Sequence, residues 1–166
     1  MLITTVTDNF DRADSNPMTG NWSPFFGTTN DGQIVTNKVR GTTITGSSRL
    51  YYDAGTFSDN QFAQLTFTTY IAGGQILGIA LRVSLTEVTY YLARCNNTNT
   101  TIERILVGAL TTLASTSTLF VAGDVMRFEV DGSSLTLYQN NSLLLSASDT
   151  TIASGRPGFR IGPVVA

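Results

Sequence analysis

From Leu119 to Ile161 turn formers divide the chain into four short segments, each too short for a useful helix and written in the two-residue period of a strand. Val125-Met126-Arg127-Phe128-Glu129-Val130 alternates apolar and polar side chains without a break. Asp131-Gly132 supplies a hairpin turn, Leu135-Thr136-Leu137-Tyr138 resumes the alternation, Asn140-Asn141 turns again, and Leu143-Leu144-Leu145 returns. Strands joined this tightly must pair antiparallel, so this part of the chain reads as a β-meander.

The same period recurs upstream. Residues 2–7 alternate and are expected to form a first strand, and Gln33-Ile34-Val35-Thr36, Lys38-Val39-Arg40 and Arg49-Leu50-Tyr51-Tyr52 are short strands between Gly or Asn turns. Gln61 to Tyr70 is a longer one, with Ala63, Leu65 and Phe67 on one face and Gln64, Thr66, Thr68 and Tyr70 on the other. Ile76 to Ser84 sets Leu77, Ile79, Leu81 and Val83 against Gly78, Ala80, Arg82 and Ser84. Val88 to Cys95 is its partner, and Thr101 to Val107 and Leu110 to Leu113 complete the middle. No helical period, internal repeat or low-complexity linker interrupts the series. Short strands throughout 166 residues predict an all-β chain, a two-sheet antiparallel sandwich forming one domain over 1–166. Its expected core is Phe10, Trp22, Leu65, Phe67, Ile79, Leu81, Met126, Phe128, Leu135, Leu137 and Phe159.

Composition narrows the chemistry. Charged residues are 13% of the chain, the net charge is −2 and Lys38 is the only lysine, so no basic stripe exists to neutralise a nucleic-acid backbone. No segment is long and apolar enough to span a membrane as a helix, and the start lacks the charged and apolar regions of a signal peptide. There is no histidine, which removes Ser-His-Asp and Cys-His catalysis. The lone Cys95 lies in an apolar strand and reads as a small buried hydrophobe.

The order of alternating strand, Asp-Gly, alternating strand, Asn-Asn, apolar strand and Gly-Arg-Pro-Gly-Phe resembles the C-terminal half of laminin-G-like and concanavalin-A-like jelly rolls. The pair Gly78-Ile79-Ala80-Leu81-Arg82 and Tyr90-Tyr91-Leu92-Ala93-Arg94 resembles their central hairpin. At the start, Asp8-Asn9-Phe10-Asp11-Arg12-Ala13-Asp14 followed by Gly20-Asn21-Trp22 is similar to a signature of lectin-like jelly rolls from bacteria and their tailed phages. That resemblance implies a jelly-roll sandwich in which Phe10 and Trp22 anchor the opening loop. It also implies a phage virion surface protein, made in the cytoplasm, decorating a capsid or attached to a tail or fibre, with glycan or cell-surface adhesion as a second activity.

A sugar presents C–H faces and hydroxyl edges, so its site needs rings beside planar polar groups. Tyr70, Tyr90, Tyr91 and Tyr138 supply rings, and Arg82, Arg94, Arg127, Gln64 and Glu129 supply partners. The alternative is that these residues decorate a solvated sheet face or pair across strands. Phe25-Phe26 either plugs an end of the sandwich or forms a contact patch for a partner. Glycosidases of the resembled fold carry clustered acids, and the nearest counterpart is Glu129-Val130-Asp131. A structural calcium, which the resemblance would put between Asp8 and Asp149, lacks an acidic cluster at ligand spacing, so no cofactor is expected. The expectation is therefore a non-catalytic binding or structural protein. A free-standing carbohydrate-binding module and a carboxylate glycosidase are the alternatives. With few charges to blunt its sheet edges, a symmetric oligomer or attachment to capsid or tail proteins is also expected.

Overall fold

A computed structural model describes residues 6–29, 32–41, 47–68 and 75–162. Among these residues are β1 (Trp22–Pro24), β2 (Gly32–Val35), β3 (Lys38–Gly41), β4 (Ser48–Tyr52), β5 (Gln61–Thr66), β6 (Leu77–Val83), β7 (Tyr90–Cys95), β8 (Thr100–Leu106), β9 (Ala109–Thr116), β10 (Val125–Asp131), β11 (Ser134–Gln139), β12 (Ser142–Ser148) and β13 (Arg156–Ile161). The large sheet runs β1-β4-β13-β6-β7-β8-β9, the small sheet β12-β11-β10-β5, and β2 pairs with β3. Every pairing is antiparallel.

The alternating segments lie where their period requires. Met126, Phe128 and Val130 of β10, with Leu135 and Leu137 of β11, point between the sheets and meet Ile79, Leu81, Tyr91, Ala93, Cys95 and Ile102 of the large one. The hairpin from β11 to β12 turns at Asn140 and Asn141, both left-handed at φ 52° and 66°, a conformation asparagine tolerates better than most residues. The fourth predicted strand, β13, leaves the meander and joins the other sheet between β4 and β6. A second cluster joins Met18, Ile34, Leu50 and Phe159, with Phe10 and Trp22 half-buried against it. Phe10, Trp22 and Leu65 are thus peripheral to the core and not fully inside it.

Two further departures from the sequence reading have physical causes. Residues 1–5 of the expected first strand and Tyr70 lie outside the described residues, and Val6 and Thr7 are irregular. In β6 strict alternation would put Arg82 on the face of Gly78 and Ala80. Instead Arg82 is left-handed at φ 52°. The register opposite it shifts between Arg156 and Gly158, and Val83 takes its place beside Ala80.

Candidate functional site

The outer face of the small sheet gathers four of the predicted ligand residues, Gln64, Arg127, Glu129 and Tyr138. Because Phe128 faces inward, its neighbours Arg127 and Glu129 face out, and register sets Arg127 opposite Gln64 of β5 and Tyr138 of β11. The Arg127 guanidinium lies over the Phe62 ring at 4.7 Å and over the Tyr138 ring at 6.0 Å. It also forms an ion pair with Glu129. Phe62 is 49% exposed. The result is a surface of two rings bridged by a guanidinium and edged by a carboxylate and an amide. It borders an open cleft of about 1380 Å³ that wraps the β5 edge and is lined by Trp22, Phe57, Leu77 and Phe159 as well as Phe62, Gln64 and Glu129.

Phe62 and Gln64 complete this surface, and Phe62 was not among the sequence candidates. Its signal was available: in Gln61 to Thr66 it is the one aromatic out of phase with the inward set Ala63 and Leu65. Asp131, the second acid of the Glu129-Val130-Asp131 run, accepts from the Asn60 side-chain amide at 2.5 Å. Both acids are therefore already engaged by neighbours.

The remaining candidates are elsewhere. Arg82 is 3% exposed, and its fork donates to the carbonyls of Asp59, Ile152 and Gly132 at 2.9, 2.7 and 3.0 Å. It is a clamp on three loops, buried out of reach of a ligand at the surface. Tyr90 is 2% exposed because Phe25 packs edge-on against it at 4.9 Å. Phe25 is itself buried, so of the expected contact pair only Phe26, 50% exposed, is presented to solvent. Arg94 lies on the outer face of the large sheet, paired through Nε with Glu103 Oε1 at 2.8 Å.

Asp8 and Asp149 do not converge on an ion. Asp8 accepts from Trp22 Nε1 at 2.8 Å beside β1, whereas Asp149 accepts from Arg104 of β8 at 2.6 Å. Five strand spacings separate β1 from β8. That places the two acids roughly 24 Å apart. Burial alone would raise the Asp8 carboxyl, but bonds from Arg12, Trp22 and the Phe10 amide outweigh it and hold it below its ordinary value. Asp149 is held low against burial in the same way by Tyr91, Thr151 and Arg104. Tyr91 is pushed up to about 12, first by burial and further by the Asp149 carboxylate, against the opposing Ile152 amide and Arg82 charge.

No protein-family model matches the chain, nor does any curated protein sequence. Solved structures do. The carbohydrate binding module CBM66 from Bacillus subtilis superposes with a TM-score of 0.69 at 17% identity, over 86% of this chain and 88% of that one. A β-1,3-1,4-glucanase (lichenase) derived from a mouse hindgut metagenome gives 0.65 at 11% identity, over 96% and 86%. The Bacillus licheniformis β-glucanase gives 0.62 at 11%, over 95% and 84%. The chain has a concanavalin-A-like jelly-roll fold. Its all-β, two-sheet antiparallel architecture is the one these proteins share, and at such identities the likeness concerns the fold.

Proposed function

We propose that this jelly roll is a non-catalytic glycan-binding domain whose sugar platform is the Phe62–Arg127–Tyr138 surface. The observation that carries the reading is Arg127 held between two rings on an exposed face. The exposed Phe62 ring offers a flat apolar surface for the C–H face of a pyranose, and Gln64, Glu129 and Arg127 offer donors and acceptors for its hydroxyl edge. Phe62 keeps half of its surface exposed on a polar strand face beside Arg127 and Tyr138, which supports a role in contact. The fold is shared with a protein described as a carbohydrate binding module, which supports the reading by analogy. For the absence of catalysis, the support is that Glu129 and Asp131 are tied to Arg127 and Asn60.

Affinity electrophoresis against a panel of neutral soluble polysaccharides tests this. Retardation by at least one polymer, lost in Phe62→Ala and Tyr138→Ala with the fold intact, is the expected result. Turnover of a polymer that disappears in Glu129→Gln would overturn the non-catalytic reading in favour of a carboxylate glycosidase.

The setting we propose is the one the opening signature implies, a virion surface component in contact with copies of itself or with capsid or tail proteins. Exposed Leu110 on edge strand β9 and Leu143 on edge strand β12 support self-association. Mass spectrometry of purified particles and light scattering of the isolated protein check the two parts. Absence from particles together with a strict monomer would leave a free sugar-binding module.

A further inference from the structure

The outer face of the large sheet carries a charge pattern that the described residues leave largely uncompensated. Register places Arg49 of β4 directly opposite Arg160 of β13, Arg160 opposite Gly78 of β6, and Gly78 opposite Arg94 of β7. Three guanidinium stems therefore stand in one cross-strand row, spanning about 14 Å from Arg49 to Arg94. Like charges directly opposite on a sheet are unfavourable, so the Arg49–Arg160 pair calls for a compensating group.

The strands themselves supply too little. Among β4, β13, β6, β7 and β8 the only carboxylate is Glu103, fully buried on this face. Its Oε1 accepts from Arg94 Nε at 2.8 Å and from Thr101 Oγ1 at 3.0 Å, while its Oε2 has no partner. Arg160 reaches a neutral acceptor, Ser47 Oγ, at 3.2 Å. The Nε atoms of Arg49 and Arg160 are buried and unpartnered. Burial holds the Arg160 guanidinium below its usual pKa, and the charges of Arg49 and Arg94 act in the same direction against a partial offset from Tyr90 and Glu103.

The arginine row stands over small residues. Gly78, Gly158 and Ala80, on the same face of the sheet, are all buried. Gly78 cannot be larger, since a Cβ there would fall 2.5 Å from the Ala93 carbonyl oxygen. Phe25, which crosses the face to Tyr90, lies over Gly158 and packs on Ala80, so the arginine row is bounded by an apolar ring on that side.

We propose that this arginine row binds an oxyanion carried by an acidic glycan, a uronate carboxylate or a sulfate ester, held by Arg49, Arg160 and Arg94. Naming a glycan as the carrier rests on the function proposed above, whereas the oxyanion site stands on the arginine row alone. A nucleic acid is disfavoured because three cations in one short row on a chain of net charge −2 form a local cluster and not a track for a phosphate backbone.

The experiment has two arms, run on the full chain, on Arg49→Gln, on Arg160→Gln and on Arg40→Gln, an exposed arginine on β3. The first compares melting in sodium sulfate and sodium chloride at equal ionic strength. Sulfate should stabilise the parent and Arg40→Gln specifically, and that extra stabilisation should vanish in Arg49→Gln and Arg160→Gln. Arg49→Gln should melt no lower than the parent in chloride, because Arg49 leaves a repulsive pair without losing a side-chain partner among the described residues. The second arm measures retardation by polygalacturonate, dextran sulfate, neutral dextran and a duplex DNA oligonucleotide. Binding of either acidic polymer, weakened at least tenfold in Arg49→Gln and Arg160→Gln but not in Arg40→Gln, supports the proposal and identifies carboxylate or sulfate as the anion. Equal losses in all three variants, no sulfate-specific effect, or tighter binding of DNA than of either polymer would overturn it. The platform variant Phe62→Ala, run beside them on neutral polymers, fails or succeeds independently.

Discussion

Replacing Arg82 by Met keeps an apolar stem of similar length and deletes the fork that clamps Asp59, Ile152 and Gly132. The Ile152 carbonyl accepts its bond in a buried setting, and losing its partner there should cost about 1–3 kcal/mol. The Asp59 and Gly132 carbonyls lie nearer solvent, where water can replace the guanidinium, so each should cost about 0.5–1 kcal/mol. The net loss is then about 2–5 kcal/mol, which lowers the midpoint of a chain this size by roughly 4–20 °C. Arg82→Lys should fall between the two, because an ammonium cannot span three diverging acceptors. Arg82→Gly separates fork from backbone: it removes the left-handed strain at φ 52°, recovering about 1 kcal/mol, but not the three bonds. Urea unfolding followed by tryptophan fluorescence and by far-ultraviolet circular dichroism gives each difference with a check on the slope. An Arg82→Met protein within about 1 kcal/mol of the parent, at unchanged slope, would refute the clamp.

Other outcomes follow from the same contacts. Phe128→Ala empties a fully buried aromatic site between the sheets and should cost about 3–5 kcal/mol in the same urea assay. Because the Tyr91 phenol is raised to about 12 in the fold, the stability it contributes is whole below pH 10 and fades as pH climbs towards 12; Tyr91→Phe should flatten that alkaline decline in a melting-temperature profile. The Asp8 carboxylate is held below its ordinary 3.8, so its contribution is present above that value and is lost as pH falls beneath it. Asp8→Asn should therefore be less stable than the parent at pH 7 by thermal melting, with the difference narrowing in acid.

How much of this could be read from the chain depends on the range of the signal. The β10–β12 meander was legible because its cause is local: period two decides which side chains of Val125–Asp131 face in, and Asn140-Asn141 suits the left-handed turn it makes. The convergence of Arg127, Glu129 and Tyr138 on one face follows from the same period and one hairpin register. Arg82 was misplaced because a bulge against β13, more than seventy residues away, reverses its face. Tyr90 and Phe25 were misjudged because their burial depends on a loop crossing the sheet, which no periodicity records. The Arg49–Arg160 pair needs the register of two distant strands, and nothing near either residue announces it.

The most direct test of the central claim is isothermal titration of the purified protein with oligosaccharides of whichever neutral polymer retards it, in parallel with Phe62→Ala. The account predicts saturable binding that weakens about tenfold or more in the variant, equivalent to about 1.4 kcal/mol, while its melting temperature stays near that of the parent. Binding of equal strength in Phe62→Ala would contradict the assignment of the platform, and no binding to any glycan would contradict the function.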